Sequence, residues 1–262
     1  MDPQDKKVPL MEVFGPVIQG EGHVIGQQTY FLRLGACDYR CRMCDSMHAV
    51  DPLRIQANAM WLTQREILEK FLELRPLTSD TTPWVTLSGG NPCIHDLSEL
   101  VTELVHIRVK IAVETQGTIW QSWLSDCDVI TVSPKGPGMG ERFDKEIFTQ
   151  FMLQTADTKP HASKTGLNIK VVVFGEEDIA FARGIFLWCT QYNFPLERFY
   201  LSQGNPWPPG ADQSIVNLEE HTEELRYSYL KTFELIQNDP LLSRLKFLPQ
   251  WHVWLHGNKA GV

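Results

Sequence analysis

Seven short apolar runs of strand length recur along this chain, and segments with helical spacing of apolar residues lie between many of them. The runs occupy residues 30–34, 84–87, 111–114, 129–132, 168–174, 199–201 and 246–248. Strands that alternate with helices are typical of the α/β class, in which helices cover a largely parallel sheet. Fewer than eight strand–helix units leave a (β/α) barrel open, so the pattern predicts a partial (β/α) barrel.

Caps and apolar spacing mark the predicted helices. Thr63 and Glu66 form a capping-box signature, and Leu218–Gln237 is a longer helical stretch. Two stripes are predicted to face the core: Ile67, Leu68, Phe71 and Leu72 in one helix, and Leu97, Leu100, Val101, Leu104 and Val105 in another. The Gly/Pro-rich segments 134–140 and 204–210 are predicted loops too short to link domains, so residues 1–262 are expected to form one domain.

Charge and hydropathy narrow the class of ligand. The chain has 24 basic and 32 acidic residues, a net charge of −8, which argues against a nucleic-acid partner and favours a small molecule. No apolar stretch approaches the roughly 18 residues needed to span a bilayer, and the first residues lack the apolar core of a signal peptide. We therefore expect a cytoplasmic protein without a membrane partner. In that reducing compartment, clustered cysteines more often bind metals than form disulfides.

Three of the six cysteines lie within eight positions. Cys37, Cys41 and Cys44 have the spacing C-xxx-C-xx-C, whereas Cys93, Cys127 and Cys189 are isolated. The three thiolates could bind zinc with His48 as a fourth ligand, which predicts a Cys3His interaction module. They could equally bind three corners of a four-iron cluster and leave one iron open to a small molecule. The spacing alone leaves both alternatives open.

The second alternative resembles the radical S-adenosylmethionine superfamily, which has this cysteine spacing. That superfamily also has a glycine pair after the next strand, and Ser88, Gly89 and Gly90 follow the strand-like run WVTL. An aromatic residue usually precedes the last cysteine, whereas this chain has Met43, which is large and apolar enough to pack near an adenine. The resemblance implies a partial TIM-type barrel of the radical S-adenosylmethionine kind.

Further motifs resemble one family within that superfamily. In order along the chain they are QGEG at 19–22, Arg33, CDS at 44–46, VETQGT at 113–118, ITVSPK at 130–135 and the chain end LPQWHVWLHGNKAGV. Together they resemble the 7-carboxy-7-deazaguanine synthase family, from about residue 12 to Val262. The segment 137–165 and the loop near Trp207 contain no motif of this kind.

The resemblance implies a set of cofactor-binding residues. Cys37, Cys41 and Cys44 are expected to hold a 4Fe-4S cluster, and Ser46, where the family has threonine, is expected to bind Mg2+ through a hard hydroxyl oxygen. The expected contacts to S-adenosyl-L-methionine are Met43, Cys44, Asp45, Gly90, Ser133, Pro134 and Lys135. Residues 37–46 are thus the cluster loop.

The implied substrate is 6-carboxy-5,6,7,8-tetrahydropterin, a bicyclic amide with a carboxylate. Arg33 suits the carboxylate because a guanidinium presents a fork of donors. The other expected substrate contacts are Ile18, Gln19, Gly20, Ser88 and the α-carboxylate of Val262, with Glu21 and Glu114 as further candidates. The tail 249–262 is expected to close the site, and His252 is expected to be a core or loop histidine.

The implied activity is a lyase reaction that gives 7-carboxy-7-deazaguanine and ammonia, in queuosine or other 7-deazapurine biosynthesis. S-adenosylmethionine would be used catalytically, a reductant such as flavodoxin or ferredoxin would supply one electron, and the enzyme would be a homodimer. Two alternatives remain: another small radical enzyme such as a glycyl-radical activase, and the Cys3His zinc module.

Overall fold

A single mixed sheet organises the computed structural model, which describes residues 6–75, 82–157, 166–207 and 218–257. In that part of the chain the sheet has nine strands in the order β3-β1-β2-β4-β5-β6-β7-β8-β9. Their bounds are β1 Val8–Ile18, β2 Gln28–Leu34, β3 Met60–Leu62, β4 Trp84–Gly89, β5 Lys110–Thr115, β6 Val129–Val132, β7 Gly166–Val173, β8 Phe199–Gln203 and β9 Lys246–Leu248.

The pairing of the strands gives an open barrel. Strands β2 and β4 to β9 are mutually parallel, whereas β1 pairs antiparallel with both β2 and β3. Strands β3 and β9 are the two edges and do not pair with each other. All seven predicted strands are confirmed, and so is the prediction of an open rather than closed parallel sheet.

Strands β1 and β3 were not predicted. The dipeptide Gly15-Pro16 interrupts the apolar run of β1 and is typical of a turn. In the structure the pairing of β1 with β2 shifts register between Phe14 and Val17, so the strand continues past the dipeptide. Proline is tolerated at such irregularities because it has no N–H to donate.

Helices cover the outer face of the sheet. Their bounds are α1 Pro52–Asn58, α2 Gln64–Leu74, α3 Ser98–His106, α4 Lys145–Asp157, α5 Glu176–Gln191, α6 Leu218–Gln237 and α7 Trp251–His256. The predicted capping box is present, because Thr63 accepts from the Glu66 N–H and the Glu66 carboxylate accepts from the Thr63 N–H. The predicted core stripe of α3 is wrong at one position, since Val105 is 46% exposed.

Alternation along the parallel strands separates an apolar face from a polar one. The apolar face packs against the helices in one core that includes Leu87, Val113, Ile130, Val171 and Leu201. The opposite parity faces the concave side of the sheet and contains many polar side chains that are mostly buried: Thr86, Ser88, Glu114, Thr131, Asn168, Lys170 and Ser202. Buried polar side chains cost free energy unless they are paired, so this concave face is the place to look for a site.

In the described part of the chain, no helix combines the length and the apolar character needed to cross a membrane.

Candidate active site at the concave face of the sheet

A cavity of about 520 Å³ opens on the concave face, toward the C-terminal ends of the parallel strands. Its size is typical of a small-molecule site. It brings together nearly all of the residues expected from sequence: Ile18, Gln19, Gly20, Glu21, Arg33, Cys37, Cys41, Met43, Cys44, Asp45, Ser46, Ser88, Gly90, Glu114, Ser133 and Lys135. Pro134 does not line the cavity, and Val262 lies outside the described residues.

The cluster loop follows β2 and is held by side chains from the ends of neighbouring strands. The Asp38 carboxylate accepts from Asn91 Nδ2 at 2.8 Å and also from the side chains of Gln116 and Thr118. Gln116 Nε2 additionally contacts Cys37 Sγ at 3.5 Å. Asp38 therefore joins the start of the loop to the ends of β4 and β5.

The glycine pair after β4 is required by close backbone packing. A Cβ on Gly89, whose φ is +135°, would overlap the carbonyl oxygen of Leu34. A Cβ on Gly90 would overlap the Ala36 carbonyl and lie 2.9 Å from Cys37 Cβ. The Asn91 N–H donates to Ala36 O at 2.8 Å. Both glycines thus let β4 approach the residues that begin the cluster loop.

The three thiols of the loop are partly shielded from water, with Cys41 buried and Cys37 and Cys44 half-buried. Burial raises the pKa of Cys41 to about 11 and that of Cys44 to about 12, and it also raises the pKa of Cys37. Thiols in this environment become thiolates only beside a strong positive charge, such as a bound metal centre. The donor set therefore fits a metal cluster that supplies this charge.

The described residues do not form an assembled Cys3His ligand set. Zinc–sulfur bonds of about 2.3 Å in a tetrahedron place the sulfurs about 3.8 Å apart. Among the described residues, the one group of three or more potential ligands whose atoms all lie within 4.8 Å is Glu21, Asp45 and His252, not the cysteines. His48 instead lies 3.3 Å from the Glu12 carboxylate. His48, the fourth ligand of the Cys3His alternative, is therefore engaged with Glu12.

Arg33 is held rigidly on β2. Its Nε donates to Glu12 Oε2 at 2.6 Å and its Nη1 donates to Ser46 Oγ at 3.0 Å. The rings of Phe14 and Phe31 stack with centroids 5.1 Å apart, and the guanidinium lies 5.6 and 5.7 Å from them. A guanidinium has five N–H donors, so others remain for an anionic ligand.

Glu12 was not expected from sequence. Burial would raise the pKa of Glu12, but hydrogen bonds and charges from His48 and Arg33 outweigh it, so the pKa lies below its ordinary value. The carboxylate thus stays ionised and orients Arg33. Its role was not apparent from sequence because Glu12 lies in β1, which the sequence pattern did not predict as a strand.

A buried ion pair lies on the floor of the cavity. The ammonium of Lys170 on β7 donates a hydrogen bond to the Glu21 carboxylate, and the side chains of Lys170 and Glu21 are 8% and 7% exposed. Burial opposes the charge on each group, but their mutual attraction outweighs it, so the pKa of Glu21 is lowered and that of Lys170 is raised. Sequence analysis missed Lys170, although a lysine inside the apolar run of β7 is itself a signal.

Glu114 lies in the cavity and not in a solvated loop. Its two carboxylate oxygens accept from Gln19 Nε2 at 3.3 Å and from Ser88 Oγ at 3.2 Å. Three residues from three separate segments of the chain therefore form one hydrogen-bonded group on the cavity wall. Carboxylate and amide groups in such an arrangement can read the N–H and C=O edges of a heterocycle.

The C-terminal segment covers one side of the cavity. The Trp251 N–H donates to Gly20 O at 3.1 Å, and Gln250 Nε2 donates to Glu21. His252 lies in α7 and lines the cavity, with Nε2 3.9 Å from Glu21. A Cβ on Gly20 would lie 2.9 Å from the His252 nitrogen, which shows how closely the two segments pack.

Comparison with known proteins gives full-length relatives. The chain is 37% identical over 261 residues to a Bacillus subtilis protein named 7-carboxy-7-deazaguanine synthase, with 98% of this chain and 99% of that protein covered. It is 33% identical over 257 residues to a Bacillus cereus protein of the same name, with the same coverage. No protein-family model matches the chain.

Solved structures share the fold. The crystal structure of QueE from Escherichia coli superposes with a TM-score of 0.59 at 21% identity, over 93% of this chain and 94% of QueE. Streptococcus suis SuiB bound to S-adenosylmethionine superposes with a TM-score of 0.50 at 13% identity, over 81% of this chain and 48% of SuiB. At these identities the likeness concerns the fold alone.

Proposed function

This chain belongs to the 7-carboxy-7-deazaguanine synthase family, and from that premise we propose that it is a radical S-adenosylmethionine lyase. It converts 6-carboxy-5,6,7,8-tetrahydropterin to 7-carboxy-7-deazaguanine with loss of ammonia, in queuosine biosynthesis. The observation that carries the proposal is the convergence of three thiols, a guanidinium and an amide–carboxylate group on one cavity at the open end of the sheet. Neither full-length relative is an activase, so the glycyl-radical alternative has no support.

Cys37, Cys41 and Cys44 would hold the 4Fe-4S cluster. When bound, the cluster and S-adenosylmethionine would supply one-electron radical chemistry at the substrate. The chain itself binds and orients the two small molecules and excludes water from them. We assign cosubstrate contacts to Met43, Asp45 and Gly90 and to the 133–135 turn, where Lys135 Nζ donates to Ser133 Oγ at 3.1 Å.

Arg33 would bind the substrate carboxylate with the donors that Glu12 and Ser46 leave free. Its rigid setting between Glu12 and two aromatic rings supports this role, because a fixed guanidinium loses little conformational entropy on binding. Ser46 Oγ would be the Mg2+ ligand, and its distance of 3.0 Å from Arg33 Nη1 supports this role, because a hard oxygen then lies close to the guanidinium proposed to bind the carboxylate.

The group formed by Gln19, Ser88 and Glu114 would read the edge of the pterin ring. Ile18 and Gly20 flank Gln19 at the cavity, and Glu21 would complete the set. The Glu21 carboxylate already accepts from Lys170 and Gln250, so we propose that it acts mainly by holding Gln250 and the C-terminal segment in place. The tail 249–262 then closes the site, with the Val262 carboxylate as an acceptor for ring N–H donors.

The assembly and partners follow from the family and from charge. We propose a homodimer of single-domain subunits spanning residues 1–262, in the cytoplasm, reduced by flavodoxin or ferredoxin. All nine described strands hydrogen-bond into one sheet, which supports a single domain. The net charge of −8 supports the absence of a nucleic-acid partner.

Anaerobic reconstitution tests the proposal. The purified chain should bind iron and sulfide, and with substrate, S-adenosylmethionine, Mg2+ and a reductant it should release 7-carboxy-7-deazaguanine, identified by mass spectrometry. The Cys41→Ala variant should lose both the iron and the activity. Cys189→Ala is the matched control, because Cys189 is fully buried in the core and does not line the cavity. Full turnover by Cys41→Ala would refute the assignment.

A further inference from the structure

The segment 136–142 packs against the cluster loop, although it contains none of the family motifs. The Arg42 N–H donates to Met139 O at 2.8 Å, and the Arg40 N–H donates to the Glu141 carboxylate. Arg42 Nη2 and the Tyr39 hydroxyl make longer contacts of 3.5 Å to the carbonyls of residues 138 and 142. Two backbone amides between the cluster cysteines thus depend on this segment for their hydrogen bonds.

A buried carboxylate fixes the 136–142 segment in turn. Asp178 in the first turn of α5 is 2% exposed, and its Oδ1 accepts from the Gly138 N–H at 2.8 Å. Its Oδ2 accepts from the Phe174 N–H at 3.0 Å. A Cβ on Gly138 would overlap Asp178 Oδ2, and one on Gly136 would lie 2.7 Å from Oδ1. The GPG sequence therefore permits the backbone to reach the carboxylate.

These contacts differ from those of an ordinary helix cap. A capping side chain accepts from N–H groups in the first turn of its own helix. The Asp178 carboxylate accepts from two amides outside α5, one at the end of β7 and one in the 136–142 segment. It therefore joins α5 to a loop and does not simply stabilise the end of a helix.

We propose that Asp178 is a positioning residue for the cluster loop and for the cosubstrate, acting through the 136–142 segment. The same stretch of chain begins with Ser133, Pro134 and Lys135, so fixing Gly138 sets both the cosubstrate turn and the surroundings of Cys41. The cosubstrate half of this inference rests on the proposed function. The cluster-loop half rests on hydrogen bonds within the chain and can be tested without cluster or substrate.

Three variants remove different contacts between Asp178, the 136–142 segment and the cluster loop. Asp178→Asn turns one of its two acceptors into a donor that faces an N–H group, and Gly138→Ala pushes the segment away from the carboxylate. Glu141→Ala removes the acceptor for Arg40 without touching a buried group. Gly184→Ala on α5 is the matched control, because a Cβ there meets nothing within 4 Å.

Hydrogen exchange of the apo-protein gives the first measurement. In Asp178→Asn and Gly138→Ala the Arg42 amide should exchange roughly tenfold faster, as expected for the loss of one supported hydrogen bond. In Glu141→Ala the Arg40 amide alone should exchange faster, and Gly184→Ala should match the wild type. Unchanged exchange over residues 37–46 in Asp178→Asn and Gly138→Ala would overturn the proposal; if Asp178→Asn fails to fold, Gly138→Ala, which displaces the segment from an intact carboxylate, decides the point.

Steady-state kinetics of the reconstituted enzyme gives the second measurement. The KM for S-adenosylmethionine should rise roughly tenfold in Asp178→Asn, while the KM for the pterin stays within about twofold, because the pterin contacts lie on other segments. Equal changes in both constants would overturn the cosubstrate half. If the wild type proves inactive, the proposed function fails. The hydrogen-exchange experiment does not depend on activity and still tests the cluster-loop half of the proposal.

Discussion

Lys170 and Glu21 form a pair of charges that the surrounding residues shield from water. Such pairs add little stability relative to an apolar pair, yet removing one partner leaves an uncompensated buried charge. Burial alone would raise the pKa of Glu21, but attraction by Lys170 outweighs it and the pKa is lowered. The pair therefore stabilises the fold fully above the ordinary carboxyl pKa of 4.5, and this contribution is lost as the pH falls from that value through the folded-state pKa of about 2.

Lys170→Met should lower the unfolding free energy of the apo-protein at pH 7 by about 3 kcal/mol. The deficit should already be smaller at pH 4.5, because without Lys170 burial raises the pKa of Glu21 and the carboxyl becomes protonated in the variant. The double variant Lys170→Met, Glu21→Gln is the control and should recover most of the loss. Urea denaturation at both pH values measures the effect, and a single variant as stable as the wild type would contradict it.

Arg33 presents a second prediction at the residue scale. Lys at this position keeps the charge but loses the fork that donates to Glu12 and Ser46 and that we propose to bind the substrate carboxylate. Arg33→Lys should raise the KM for the pterin by roughly 10- to 100-fold, as expected for a charge-assisted hydrogen bond. Arg226→Lys, on the exposed side of α6, should leave the KM unchanged. Equal KM values for both variants would remove Arg33 from the carboxylate site.

At the scale of elements, the site depends on where β2 and β4 meet. Parallel pairing places Arg33 beside Ser88 and Leu34 beside Gly89, so the cluster loop leaves the sheet next to the glycine pair. The Gly90 N–H donates to Leu34 O at 3.0 Å. The pairing of β2 with β4 thus fixes the position at which the cluster loop begins.

Gly90→Ala should separate β4 from the cluster loop, because the new Cβ would overlap Ala36 O and crowd Cys37. Overpacking of this kind costs about 1–3 kcal/mol of unfolding free energy. We expect that loss in urea denaturation together with a reduced iron content after reconstitution. Gly184→Ala should show neither change. Normal iron content in Gly90→Ala would mean that the loop tolerates the displacement.

At the scale of the molecule, two distant parts of the chain meet over the cavity. The QGEG segment after β1 and the segment from Gln250 onward are joined by the bonds of Trp251 to Gly20 and of Gln250 to Glu21. Residues more than 220 positions apart therefore form one wall of the site. Disturbing the chain end should affect the substrate more than the cluster.

A tag of several residues added after Val262 should raise the KM for the pterin roughly tenfold, about the effect of losing one charged hydrogen bond. The iron content should be unaffected, because the hydrogen bonds described for the C-terminal segment go to Gly20 and Glu21 and not to the cysteines. The same tag placed before Met1 is the control. A KM that is unchanged by the C-terminal tag would show that the free carboxylate has no part in binding.

The sequence by itself determined the local features of this protein. Alternation and spacing located seven strands, the capping box and α6, because these depend on neighbours within a few residues. Cysteine spacing and short motifs located the cluster loop for the same reason. Glu12, Lys170 and Asp178 were missed because their partners, Arg33, Glu21 and Gly138, lie 21 to 149 positions away. Only the tertiary structure decides such pairs, since strand order and helix packing, not local pattern, bring a buried charge to the group that compensates it.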